Sequence, residues 1–218
     1  MNLPFSVDLT DKVAVVTGAG GILCSDFARV LAKCGAKVAL LDLNLDAAET
    51  VAEEIRKEGY QAIAVRANCL EKESLEEAKK VVDFTFGPCD ILINGAGGNN
   101  PRATTADEYF DAESLDSEKT NFFNMDDKGF KFVLDLNVTA AFLTTQVFAL
   151  DMAKEFFATY FPEFPNNKYA CHSWLLYPGN KNFMPEGSNI LKFASLYEVI
   201  VCLPSSSVRV TPPVITII

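Results

Sequence analysis

Residues 13–21 read Val-Ala-Val-Val-Thr-Gly-Ala-Gly-Gly, and no other stretch restricts the fold as tightly. Val13 to Val16 are consecutive apolar residues, the pattern of a strand buried on both faces. Gly18, Gly20 and Gly21 follow as a bend. Ile22, Phe27, Val30 and Leu31 then recur near helical spacing. Glycines at such a bend let a ligand approach the backbone, because no side chain intervenes. The helix start offers unpaired N–H groups and a partial positive charge, a seat for a diphosphate. An ordinary tight turn would use the same glycines. The apolar strand in front of them favours the anion seat.

The alternation continues down the chain. Lys37–Asp42 reads as a strand, and Leu45–Glu58 as a helix with Asp46 near its start and Gly59 beyond its end. Gln61–Arg66 is a third strand, Glu73–Asp83 a charged helix, and Asp90–Asn94 a fourth strand running into Gly95-Ala96-Gly97-Gly98. Strands spaced by single helices predict an α/β fold, a Rossmann-like doubly wound parallel sheet with right-handed crossovers. Residues 98–125 are polar and acidic, a surface loop at the carboxyl edge where such sheets bind ligands. Lys131–Lys154 carries a long helical pattern through Phe132, Leu136, Ala140, Leu143, Val147, Leu150 and Met152.

The character changes after residue 154. The last 64 residues hold 7 of the 10 prolines but only 8 of the 48 charged side chains, and the prolines forbid long helices there. The expected organisation is a dinucleotide-binding region over 1–154 and an atypical carboxyl-terminal segment of the same domain over 155–218.

A chain of 218 residues suits one domain. Its net charge of −10 argues against nucleic acid and anionic membranes as partners. No contiguous apolar run reaches membrane-spanning length, and no leader pattern opens the chain. Six cysteines without a CxxC pair suit a reducing, cytoplasmic setting and show neither a disulfide framework nor a zinc site. His172 is the single histidine, which argues against a His-based triad or metal centre.

Asp42 ends the second strand, 24 residues after Gly18. A carboxylate there accepts hydrogen bonds from the adenosine ribose and repels a 2′-phosphate, so the expected cofactor is NAD. The alternative is an aspartate that only caps the next helix.

Taken together, Thr17-Gly18-Ala19-Gly20-Gly21, Asp42, Asn94-Gly95-Ala96-Gly97 and Leu136-Asn137-Val138 resemble the short-chain dehydrogenase/reductase family. Gly20-Gly21-Ile22-Leu23-Cys24, the run from Asn94 to Pro101 and Thr144-Thr145-Gln146-Val147-Phe148-Ala149 are similar to its D-mannonate oxidoreductase (fructuronate reductase) branch. The resemblance covers residues 8–154. The family's TGxxxGxG pattern is not kept, since Ile22 and Cys24 stand at its later glycines; the branch shares that departure.

The resemblance implies a hydroxyl–ketone oxidoreductase acting on a small molecule and, by family analogy, a homo-oligomer. It implies that Gly18, Gly20, Gly21, Ile22 and Asp42 bind the cofactor. Asn94, Gly95, Ala96 and Gly97 would line the adenine and ribose side. Asn68 stands at a position where the family has an aspartate facing adenine; a solvated strand-end amide is the other reading. Asn137 corresponds to the family's active-site asparagine, which holds a water in the proton relay.

The family also needs a tyrosine proton donor, a lysine four residues on, and an earlier serine. Only Tyr177 has such a lysine, Lys181, and it lies 40 residues past Asn137. Yet Tyr-Pro-Gly-Asn-Lys is a turn sequence, and residues four apart share a face only on a helix. Phe164 stands where the serine is expected, with Thr159 and Ser173 the nearest hydroxyls. Two readings follow. One is an NAD-dependent oxidoreductase of a sugar acid, with Asn137, Tyr177 and Lys181 as catalytic residues. The other is an inactive or truncated nucleotide-binding domain, its carboxyl third foreign to the family. A subunit that gains missing parts from a partner is a third arrangement.

Overall fold

The computed structural model describes residues 7–109, 112, 115 and 119–160. Strands and helices alternate as β1 (Val13–Thr17), α1 (Ile22–Lys33), β2 (Lys37–Asp42), α2 (Leu45–Lys57), β3 (Ala62–Arg66), α3 (Lys72–Thr85) and β4 (Ile91–Ile93). The strands form one parallel sheet in the order β3-β2-β1-β4. The chain steps from β1 out to β3, then returns to the other side of β1. That reversal opens a crevice at the carboxyl ends of β1 and β4, the topological switch point of a Rossmann-like sheet.

Successive residues of a strand point to opposite faces, and here both faces are covered. Val13 and Val15 join Ala39 and Leu41 against Leu75, Ala78 and Val82 of α3. Ala14 and Val16 join Val38 and Leu40 against Ala28 and Ala32 of α1 and Ala48 and Ala52 of α2. Two-sided burial is why these strands read as unbroken apolar runs rather than alternating ones.

Helix α1 differs from its sequence pattern in one respect. It buries Cys24, Ser25, Ala28 and Ala32, while Ile22 is 87% exposed and Phe27 lies at the surface. Small side chains at positions i, i+4 and i+8 let the helix approach the sheet closely; the larger apolar ones point elsewhere.

The expected helix over 131–154 is longer and interrupted. It runs as α4 (Asp127–Leu134), a π turn (Asp135–Thr139) and α5 (Ala140–Tyr160). The Asn137 side-chain amide donates to the Val133 carbonyl at 2.8 Å, the acceptor an α-turn offers to Asn137's own N–H. Such competition between side chain and backbone explains the local widening. Ala140, Val147 and Phe148 then pack into the core beneath the sheet.

Within the 34-residue helical stretch Asp127–Tyr160 an 18-residue window reaches a mean hydropathy of 1.5, long and apolar enough by length and composition alone to cross a membrane. It is not an unbroken apolar run, so the sequence expectation of none is unchanged. Uncharged Asn, Thr and Gln interrupt the apolar residues between Leu136 and Leu150, so no contiguous run shows, yet a helix counts them together.

Lys79 of α3 bridges to Asp151 of α5 at 2.6 Å and to Asp83 at 2.6 Å. The hydrogen bond from Lys79 holds the Asp151 carboxyl below the usual carboxylate range. A carboxylate depressed in the folded state stabilises above its unfolded pKa of about 3.9, and that stabilisation is lost as pH falls through the folded value. Asp151→Asn is therefore expected to lose roughly 0.5–1 kcal/mol at pH 7. Denaturant titration should show the two proteins converging as pH falls below the ordinary carboxylate range and through the lowered folded-state pKa of Asp151.

Candidate functional site

The crevice is built from the carboxyl ends of the strands. Gly18 follows β1 with a positive φ of 65°. A Cβ there would lie 2.7 Å from the Gly95 carbonyl and 3.0 Å from the Ala96 backbone, so only glycine lets the two loops meet. The Thr17 hydroxyl ties them further, accepting from Gly95 N–H at 3.0 Å and Ala96 N–H at 3.1 Å.

The amides of the bend itself are spent internally. Ala19 N–H donates to the Leu41 carbonyl, Gly20 N–H to Asp42 Oδ2 at 2.9 Å, and Gly21 N–H to the Gly18 carbonyl. The open donors lie one step later, in the first turn of α1. Ser25 N–H makes the first bond back to Gly21, and no side chain caps the helix. Ile22, Leu23 and Cys24 N–H thus have no acceptor among the described residues. No acid sits in that turn, whereas Asp46, Glu73 and Asp127 occupy the first turns of α2, α3 and α4. The helix's partial positive charge is unopposed there.

Asp42 closes one flank. Its Oδ2 accepts from Gly20 N–H and its Oδ1 from Asn44 N–H at 2.8 Å, which orients the carboxylate and leaves further lone pairs on both oxygens. Asn44 caps α2 by accepting from Ala47 N–H. Gly20 is also steric, because a Cβ would meet Ala47 Cβ at 2.7 Å. Asn68, past β3, is half-buried and folds back on its own turn, Oδ1 accepting from Leu70 N–H at 3.1 Å.

Asn94 closes the other flank. Its Nδ2 donates to Thr145 Oγ1 of α5 at 3.0 Å, and its buried Oδ1 has no donor among the described residues. Asn137, in the π turn, clasps the loop after β4: Nδ2 donates to the Gly98 carbonyl at 2.7 Å, and Oδ1 accepts from Gly98 N–H at 3.1 Å. Gly97 makes room, since a Cβ there would lie 2.6 Å from Asn137 Oδ1. Both Asn137 amide hydrogens are engaged, to Gly98 and Val133, and one lone pair on Oδ1 remains. Beyond Gly98, Gly129 of α4 packs against Arg102, which also pairs with Asp126.

The structure thus gathers Gly18, Gly20, Gly21, Ile22, Asp42, Asn94, Gly95, Ala96, Gly97 and Asn137 along one edge, with Asn68 at the next strand end. Tyr177 and Lys181 lie outside the described residues, as do Phe164, Ser173 and His172. Sequence reasoning gave no role to Thr17, Cys24 or Thr145. Thr17 had a signal, a hydroxyl at the strand's last position. Cys24 is buried, and that burial, with a smaller contribution from the Asp42 charge, pushes its thiol pKa up, so it packs as a neutral group.

A switch-point crevice, an uncapped helix start and an acid at the neighbouring strand end define the Rossmann-type dinucleotide-binding class. The family described as short chain dehydrogenase matches residues 12–158, and the chain belongs to that family. A second match, to a GNAT-like C-terminal domain, covers residues 145–211. An uncharacterised oxidoreductase of Haemophilus influenzae is 47% identical over 152 residues, spanning 70% of this chain and 53% of the relative. The 7alpha-hydroxysteroid dehydrogenase of Escherichia coli is 32% identical over 146 residues, spanning 67% of this chain and 50% of the relative. A crystal structure of a provisionally named D-mannonate oxidoreductase from Haemophilus influenza, with bound NAD, superposes with a TM-score of 0.65 at 48% identity. It covers 67% of this chain and 52% of that one. The chain spans about half the length of the relatives it matches.

Proposed function

We propose that this chain is the cofactor-binding part of an NAD-dependent oxidoreductase that interconverts a hydroxyl and a ketone on a sugar acid of the mannonate/fructuronate type. The observation that carries the cofactor assignment is the uncapped, acid-free start of α1 beside the Asp42 carboxylate. Ile22 and Leu23 N–H groups bind the diphosphate. Gly18, Gly20 and Gly21 form the bend, and Gly20 and Gly21 admit it without donating, because their own amides are engaged. Asp42 accepts from the adenosine ribose and disfavours a 2′-phosphate. Asn68 borders the adenine, while Asn94, Gly95, Ala96 and Gly97 form the opposite wall. NAD, when bound, supplies the hydride acceptor or donor.

Asn137 holds the 95–98 wall in place and keeps one acceptor for a proton-relay water. Tyr177 is assigned the proton exchange with substrate and Lys181 its activation, both by likeness to the family. The sugar-acid class rests on the NAD-bound Haemophilus structure, which covers the cofactor half. A cytoplasmic setting and a homo-oligomer complete the proposal, with residues 155–218 an atypical carboxyl-terminal segment of the same domain as the cofactor-binding region 1–154.

A second reading has its own support. Residues 145–211 match a GNAT-like C-terminal domain while the short chain dehydrogenase match ends at 158, and a cofactor-binding region continued in that way can bind NAD without turning over. Calorimetric titration with NAD, then an absorbance assay for NADH with mannonate, separates the two. Binding with turnover that Tyr177→Phe removes supports the oxidoreductase. Binding with no NADH from any sugar acid supports the inactive domain. No binding refutes both.

A further inference from the structure

We propose that Cys24 and Gly95 are a size-matched pair that sets the spacing between the first turn of α1 and the 95–98 loop, with Cys24 a positioning residue for NAD. The inference rests on the cofactor assignment above and concerns how the crevice keeps its width.

Cys24 is the third residue of α1 and is 7% exposed. A Cβ added to Gly95 would overlap the Cys24 sulfur, and it would stand 2.9 Å from the Thr17 carbonyl. The sulfur therefore fills the space that any larger residue at 95 needs. Neither side of this seam can retreat easily. Thr17 Oγ1 pins the amides of Gly95 and Ala96 at 3.0 and 3.1 Å, and the Gly95 carbonyl is already as near to Gly18 as a missing Cβ allows. On the helix side, Ala28 and Ala32 anchor α1 to the sheet on the same face as Cys24.

Two backbone segments that face one ligand from opposite walls are thus separated by one sulfur atom. The N–H groups of Ile22 and Leu23 move with Cys24, because they share its helical turn. Gly97 and Gly98 move with Gly95, and Asn137 reads their position. The departure from TGxxxGxG at position 24 acquires a physical account: the space that a glycine would leave on the helix is left at residue 95 instead.

The test is calorimetric NAD titration of the full chain as wild type, Gly95→Ala, Cys24→Ala and the double variant, with thermal melts of each. Gly95→Ala is expected to weaken NAD about tenfold, and Cys24→Ala about threefold through slack in the seam. In the double variant the new methyl takes the sulfur's place, so its affinity should lie within about threefold of Cys24→Ala alone. Recovery is partial because the Thr17 carbonyl stays. Multiplicative losses in the double variant overturn the pairing. So do lower melting temperatures with NAD affinity unmoved, the signature of packing alone. Should Gly95→Ala fail to fold, Cys24→Met overfills the seam from the helix side, and unchanged NAD affinity there overturns the proposal. A wild-type chain that does not bind NAD defeats the cofactor assignment and this inference together. Independent effects in a chain that binds defeat only the inference.

Discussion

Gly18→Val is expected to abolish measurable NAD binding and to destabilise the fold by about 2–5 kcal/mol. Two independent penalties meet at this residue. Its φ of 65° lies in the left-handed region, which costs an ordinary L-residue roughly 1–2 kcal/mol and a β-branched one more. Its missing Cβ is also the space in which the Gly95 carbonyl sits, at 2.7 Å, and that neighbour is backbone rather than a side chain that can turn away. Relief requires the β1–α1 bend and the β4 loop to part. Parting breaks the Thr17 bonds to Gly95 and Ala96 and tilts the α1 donors away from the diphosphate. A loss of at least about 100-fold in NAD affinity follows even if the strain is shared with the rest of the domain. Calorimetry with NAD and denaturant unfolding of the same preparation measure both effects. A folded Gly18→Val protein with wild-type affinity would show that the bend takes no part in binding.

The sheet was legible in the sequence because burial on both faces leaves an apolar run that admits no polar residue. Lys37–Asp42 matches β2 at both ends, and Val13–Val16 falls one residue short of β1. The site was legible where chemistry depends on backbone shape: glycines at 18, 20, 95 and 97 each stand where a Cβ would collide. Three things were not legible. The buried stripe of α1 is made of small residues, so a search for large apolar ones selects Ile22, which is exposed. The π turn depends on Asn137 reaching the Val133 carbonyl, a contact that spacing alone does not distinguish from an ordinary helical turn. The third is which amides stay open. A glycine bend suggests that its own N–H groups hold the phosphates, yet Asp42, Leu41 and Gly18 take them, and the helix start carries the donors instead. That division of labour depends on a carboxylate 22 residues away in sequence.

Asp42→Ala is expected to weaken NAD roughly 100-fold while leaving NADP binding unchanged or improved. Under the proposed function the carboxylate has two jobs in one crevice. It accepts from Gly20 N–H at 2.9 Å and Asn44 N–H at 2.8 Å, holding the bend against the start of α2. The proposed function assigns its remaining lone pairs to the ribose hydroxyls. Hydrogen bonds to a charged group are worth about 1.5–3 kcal/mol each, so losing the ribose contacts alone accounts for the expected fall. Losing the clasp harms NAD and NADP alike, because both carry the same diphosphate. Losing the negative charge helps only NADP, whose 2′-phosphate it repels. Asp42→Asn separates these effects, since an amide oxygen still accepts one backbone bond while the charge is gone. The ratio of NAD to NADP affinity should therefore collapse in both variants, with absolute NAD affinity retained better in Asp42→Asn. A ratio that survives in Asp42→Asn would reduce this residue to a backbone clasp and move the choice of cofactor elsewhere on the sheet edge.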